Sequence, residues 1–164
     1  MYARVRRLVR PIWRPLAERN LGGHRGELHV NYPCRFTRTT YLGHNVHFNG
    51  MRISGQGRVE IGDNFHSGRE CLIITDVHNY EGTRLPYDDT TIVKDVVIED
   101  NVWLGDRVIV LGGVRIGEGA IIQAGSVVVR DIEPCAIAGG HPAVPFSSRN
   151  REHYETLKLA GGGR

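Results

Sequence analysis

Branched aliphatic residues recur every six positions in the second half of the chain: Ile98, Leu104, Val110, Ile116, Ile122 and Val128. A companion series, Val102, Val108, Val114, Ala120, Ser126 and Ile132, is small or β-branched throughout. The pattern runs unbroken from Ile98 to Glu133. A spacing of six is neither the period of about 3.6 of an amphipathic helix nor the period of about 2 of a lone strand. A short strand followed by a tight corner accounts for it. In Val102-Trp103-Leu104 the pleat turns Val102 and Leu104 inward and Trp103 outward. Gly105-Asp106-Arg107 then makes a corner, as Gly117 and Gly119 do further on. Three such units close a triangular coil, and stacked coils pair at the strand spacing of about 4.8 Å to give a parallel β-helix.

The first half follows the same grammar with interruptions. Ile61-Gly62-Asp63-Asn64-Phe65 matches Ile116-Gly117-Glu118-Gly119-Ala120, and Leu42-Gly43-His44-Asn45-Val46 is another copy. Val59, Phe65, Cys71 and Val77 hold the period, as do Ile61 and Ile73, and all are expected to face inward. Between Val77 and Val96 the repeat breaks. His78–Lys94 is too long for a corner and is read as an excursion loop, where function tends to sit on a rigid scaffold. The expected organisation of the 164 residues is one domain: a helical cap over 1–25, a β-helix over 42–144 carrying the loop 78–94, and a short C-terminal helix over 147–160.

Charge changes the picture only locally. The net charge of +3 is too small to argue for nucleic acid, but residues 1–25 hold seven Arg against Glu18. The stretch 1–19 reads as a basic helix interrupted by Pro11 and Pro15. It either covers the open end of the β-helix or touches an anionic membrane surface. No apolar run is long enough to span a bilayer, and the N-terminus lacks the apolar core of a signal peptide. Cys34, Cys71 and Cys135 show no CxxC spacing, which predicts reduced thiols and a cytoplasmic setting.

The string Val97-Ile98-Glu99-Asp100-Asn101-Val102-Trp103-Leu104-Gly105 continues through Gly112-Gly113-Val114 and Ala124-Gly125-Ser126-Val127-Val128. It closes on Ala138-Gly139-Gly140-His141-Pro142-Ala143. Over residues 42–144 the chain resembles the hexapeptide-repeat acyltransferases, in the branch of maltose, galactoside and polysaccharide O-acetyltransferases. The resemblance implies a left-handed β-helix and a homotrimer with active sites at the subunit seams. It implies acetyl-CoA as donor, no metal, and a sugar or glycan hydroxyl as acceptor. Two positions depart from the family's closing Gly-Asn-Pro-Ala-Lys: His141 stands for the Asn and Val144 for the Lys that approaches the coenzyme A phosphates. Arg149 or Arg151 is the candidate to replace that Lys.

Acyl transfer to a hydroxyl needs a base, donors for an oxyanion and a groove for the pantetheine arm. His78 is the expected base: it opens the excursion loop, where the family's catalytic His falls, and imidazole titrates near neutrality. The resemblance points to Trp103, Gly105, Ala124, Gly125, Gly139, Gly140 and Arg149 for the donor. Outward Trp103 is open to two readings: packing against the C-terminal helix, or cover by a ligand or neighbouring subunit. Asn49, Tyr80, Glu81, Tyr87 and Asp88 are the acceptor-side candidates. His24 and His29 have the five-residue separation of a pair in a zinc β-helix but are read as lying before the repeats, His66 and His78 are twelve apart and would stack two faces away, and Cys71, in the inward series, is expected to be buried and inert. Transfer to an amino sugar or xenobiotic, and an inactive β-helix scaffold, are the alternatives.

Overall fold

The computed structural model describes residues 12–161. The chain winds through three parallel sheets that form the faces of a prism. Face one contains Gly23–His24, Thr40–Leu42, Val59–Ile61, Val96–Ile98 and Arg115–Ile116. Face two contains Leu28–Tyr32, Val46–Asn49, His66–Arg69, Trp103–Leu104, Ile121–Ile122 and Ala136–Gly140, the rungs of one parallel ladder. Face three contains Arg52–Ser54, Leu72–Ile74, Ile109–Leu111 and Val127–Val128. We call the corner between faces one and two the first edge, between two and three the second, and between three and one the third.

Both six-residue series are buried without exception. Each coil therefore stacks aliphatic side chains on their counterparts in the next coil, as Ile98 does on Ile116. Polar residues make the corners. At the first edge Asn45, Asn64 and Asn101 adopt left-handed dihedrals, with φ of 53°, 54° and 59°, a region that Asn tolerates well. Their amides form a ladder: Asn45 Nδ2 donates to Asn64 Oδ1 at 2.8 Å, and Asn64 Nδ2 to Asn101 Oδ1 at 3.1 Å. Corner carboxylates accept backbone amides of the coil before, as Asp63 does from His44 and Asp100 from Asp63, both at 2.7 Å. Corner groups that would otherwise lose water are thereby paired.

Three sequence expectations are corrected by this register. The prism begins before Leu42, because Leu28 already pairs with Val46 and Gly23 with Tyr41. The first coil keeps the period, with Leu28 three repeats before Val46, but Cys34, Phe36 and Thr40 take its buried positions in place of branched aliphatic residues. Val77 does not face inward; it is 50 % exposed. Its rung is filled by Val96, which pairs with Val59, whereas the next rung joins Val97 to Arg115 by three repeats alone. The surplus of chain between Val59 and Val96 is the excursion, and it begins at Val77 rather than after it. Its base is an antiparallel pair, Asp76–His78 with Thr91–Val93.

The ends are closed differently. Residues 12–18 form a helix, α1, which runs through Pro15 without the expected interruption. The helical cap expected to reach residue 25 stops there, and Gly23–His24 is already a rung of face one. Ala17 is buried in the core and Trp13 packs against it, so α1 covers the first coil. The expected helix over 1–19 falls partly on residues 1–11, which lie outside the described residues. At the other end, Ala143–Ser148 turns back antiparallel on Ala136–Gly140 and shields the last rung of face two. The C-terminal helix, α2, is Arg151–Leu159, so residues 147 and 148 are strand rather than helix. The Asn150 side chain caps it by accepting from the His153 amide at 2.9 Å.

Candidate active site

The excursion presents His78 at the end of a strand, exposed, with its ring stacked on Tyr87 at 3.9 Å between centroids and 7° between planes. The loop holds this pair through polar side chains rather than a core. Asp88 is only 8 % exposed. Its carboxylate accepts from the Thr90 hydroxyl at 2.5 Å, the Thr90 amide at 2.8 Å and the Thr83 amide at 3.0 Å. These donors, the Thr90 hydroxyl first, hold the Asp88 carboxyl below its ordinary range. Asn79 completes the clasp: its Nδ2 donates to Thr90 Oγ1 at 3.0 Å, and its backbone carbonyl accepts from the Asp88 amide at 3.3 Å. Gly82 is needed here, since a Cβ would collide with Asp88 Oδ2.

Asp88 therefore shapes the loop instead of reaching for a ligand. Tyr87 sits on His78, while Tyr80 and Glu81 are exposed beside it. Asn49 lies elsewhere, at the second edge. Its Nδ2 donates to the Ser67 carbonyl at 2.7 Å and its Oδ1 accepts from Asn31 at 3.0 Å, a structural ladder. Sequence reasoning missed Asn79, Thr83 and Thr90. The visible signal was Asp88 two positions before Thr90, the spacing of a side-chain turn.

The donor-side candidates divide between two edges. Gly105, Ala124, Gly125, Gly139 and Gly140 fall along the second edge, where a Cβ on Gly105 would lie 2.5 Å from the Ala124 amide nitrogen. At Gly125, with φ of 72°, the space beyond the backbone is open. Small side chains there fit a slender arm lying against the chain. Trp103 is 52 % exposed on face two and borders a groove of about 880 Å³ shared with His66, Arg149, Tyr154, Leu157 and Lys158. Of the two readings of Trp103, the structure thus places it beside α2 yet leaves half of it uncovered.

Arg149 belongs to the first edge. Its Nε donates to the Gly119 carbonyl at 2.6 Å, and its guanidinium lies 5.7 Å from the Tyr154 ring. It ties α2 to the prism beside Trp103, whereas Gly105 and Gly125 lie along the second edge. Glu118 strengthens the same junction by accepting from Tyr154 at 2.8 Å and Lys158 at 2.7 Å. Burial works to raise the Glu118 carboxyl, but the Lys158 and Tyr154 donors prevail and hold it below its usual range. Cys71 is buried, its thiol 3.1 Å from the Gly105 carbonyl oxygen, and burial pushes it up to about 11, consistent with an inert thiol. Among the described residues no group of His, Cys, Asp and Glu is arranged to hold a metal ion.

His78 on the third edge and the small-residue strip on the second are thus separated by the prism itself. One protomer does not bring them together.

Three faces, six-residue rungs and polar corners define a hexapeptide-repeat solenoid. Residues 95–130 match the family described as bacterial transferase hexapeptide (six repeats). It is 48 % identical over 63 residues to galactoside O-acetyltransferase of Lactococcus lactis, covering 38 % of this chain and 30 % of that one. It is 44 % identical over 65 residues to chloramphenicol acetyltransferase of Klebsiella aerogenes, covering 40 % and 31 %. Its fold matches a hexapeptide-repeat acetyltransferase of Vibrio cholerae complexed with acetyl coenzyme A. There the TM-score is 0.67 and the identity 29 %, over 82 % of this chain and 75 % of that one. The chain spans 56 % of the length of the first of its curated relatives and about a third of these two.

Proposed function

We propose that this protein transfers an acetyl group from acetyl-CoA to a hydroxyl of a sugar or glycan precursor, with His78 as general base. The observation that carries the reading is the presentation of His78. An exposed imidazole is fixed by a built clasp on the long excursion of a solenoid whose relatives are acetyltransferases. Neutral imidazole takes the proton of the acceptor hydroxyl as its oxygen attacks the thioester carbonyl. Backbone amides of the second edge, near Gly105 and Gly125, face the oxygen on which charge develops. The imidazolium of His78 then returns the proton to the departing thiolate, so the histidine ends as it began.

Because base and strip lie on different edges, the complete site forms between copies. The proposed assembly is a closed trimer in which the excursion of one protomer reaches the second edge of the next. Tyr80 and Glu81 face the acceptor. A second reading keeps the chemistry and changes the acceptor to an antibiotic-like hydroxyl, which the similarity to chloramphenicol acetyltransferase favours.

The test is coenzyme A release by the purified protein with acetyl-CoA and a panel of sugars, glycan precursors and chloramphenicol, with His78→Ala alongside. Turnover that collapses in the variant supports the reading, and the best acceptor chooses between the two classes. Failure to bind acetyl-CoA, read as no thermal shift, would move the chain to the scaffold alternative.

A further inference from the structure

Helix α1 has two apolar sides. One, Trp13 with Ala17, packs on the core, and Ala17 is 1 % exposed. The other, Ile12 with Leu16, is one helical turn long and faces out, at 52 % and 51 % exposure. Leu16 borders a hollow of about 450 Å³ rimmed by Arg35 and Arg52. Covering the first coil explains the inner side only.

The charge of the chain is divided in the same way. Residues 1–38 hold nine Arg, with Glu18 and Glu27 as the acidic residues, whereas residues 39–164 hold twelve basic and sixteen acidic ones. A net charge of +3 therefore conceals +7 at one end and −4 over the rest. In the described part of this end Arg14, Arg19, Arg35, Arg38 and Arg52 are all exposed, and Arg14 pairs with Glu18 at 2.8 Å.

We infer that the N-terminal end of the solenoid docks on an anionic phospholipid surface, with Ile12 and Leu16 entering the interface and the arginines meeting headgroup phosphates. A short apolar stripe flanked by Arg is the composition of an in-plane membrane contact, and Arg stems reach along the interface while their guanidinium groups stay wet. Each basic side chain near such a surface strengthens binding about fivefold, so several together supply most of the affinity. Negative charge over the remaining coils orients the prism with this end down. No helix of the described residues is long and apolar enough to cross a membrane. The excursion leaves from the third rung of face three, counting the bridge of Arg35 to Arg52 as the first step. At about 4.8 Å per rung, and with α1 about 10 Å across between the first coil and the surface, this sets His78 roughly 20–25 Å above it. Resting on the acyltransferase reading, that height suits an acceptor carried on a lipid.

The test needs no turnover, so it fails or succeeds apart from that reading. The full chain is sedimented with vesicles of phosphatidylcholine alone and of phosphatidylcholine mixed with phosphatidylglycerol. Binding is expected only to the mixed vesicles, with release at high salt. The Ile12→Asp/Leu16→Asp variant should lose about tenfold or more in partitioning at an unchanged thermal midpoint. Arg35→Glu/Arg38→Glu, which leaves α1 intact, should lose a comparable amount and serves if the first variant folds poorly. No binding to the mixed vesicles would overturn the proposal. So would wild-type binding by the Ile12/Leu16 variant, or equally strong binding to heparin that ignores Ile12 and Leu16, which would assign the end to a soluble polyanion.

Discussion

The regular coils from Ile98 to Glu133 and the excursion from Val77 to Asp95 are held by opposite means. In the coils each rung is specified by position alone: a branched aliphatic side chain at every sixth position, stacked on its neighbour in the next coil. Many side chains share the task. Ser126 stands in the column of Val108, and Ala120 in that of Val102, and all four are buried. In the excursion there is no such redundancy. One carboxylate, Asp88, gathers the amides and hydroxyls of Thr83 and Thr90, and one asparagine, Asn79, joins the two limbs. A repeat tolerates variation because its information is spread out. A loop that must fix one imidazole concentrates it in a few polar residues.

The contrast can be broken from the coil side first. Leu104→Ala removes a side chain buried between two rungs of face two and should destabilise the fold by about 2–5 kcal/mol, measured by denaturant unfolding. Turnover per folded molecule should be little changed, because the excursion does not rest on that residue. From the loop side, Gly82→Ala should do the reverse. Its Cβ would press on Asp88, so turnover should fall at least tenfold while the unfolding midpoint hardly moves.

The Asp88 clasp also predicts a pH dependence. Its folded carboxyl is depressed, so its contribution is present above the ordinary carboxyl value of about 4 and is lost as pH falls through the lower folded value. Proteolytic nicking of the loop should rise on acidification in the wild type, and Asp88→Asn should be nicked readily at every pH. A flat, low nicking rate in the variant would remove the clasp from the account. The smallest expected effect belongs to Tyr87→Phe, which keeps the stacked ring and should stay within about twofold of wild-type turnover. Tyr87→Ala should lose several-fold.

The same contrast explains what the sequence disclosed. The coils were legible because burial is periodic and every inward position repeats its neighbour. Val77 was misplaced because its apolar character extends the period one step beyond the point where the chain leaves the prism, and Val96 supplies the rung instead. The first coil, before Leu42, was missed because Cys34, Phe36 and Thr40 stand at buried positions where later coils carry branched aliphatic residues. At the site, His78 and Tyr87 stand in the expected loop, but the roles of Asp88 and Asn49 depend on partners that no spacing reveals. Arg149 follows Ser148 directly in the chain, yet the antiparallel return of Ala143–Ser148 delivers it to the first edge, an event outside the repeat.

The central claim is that base and donor strip meet only across two copies. Two variants test it: His78→Ala, which removes the base, and Ala124→Trp, which blocks the exposed second edge. Each alone should be inactive while assembling as the wild type does. Unfolded together in equal amounts and reassembled, they should regain about a quarter of wild-type turnover, because one seam in four then joins an intact His78 to an intact edge in a randomly mixed cyclic assembly. A mixture that stays as inactive as its parents, with mixed assemblies demonstrated by differential tagging, would contradict the account and place the whole site within a single chain.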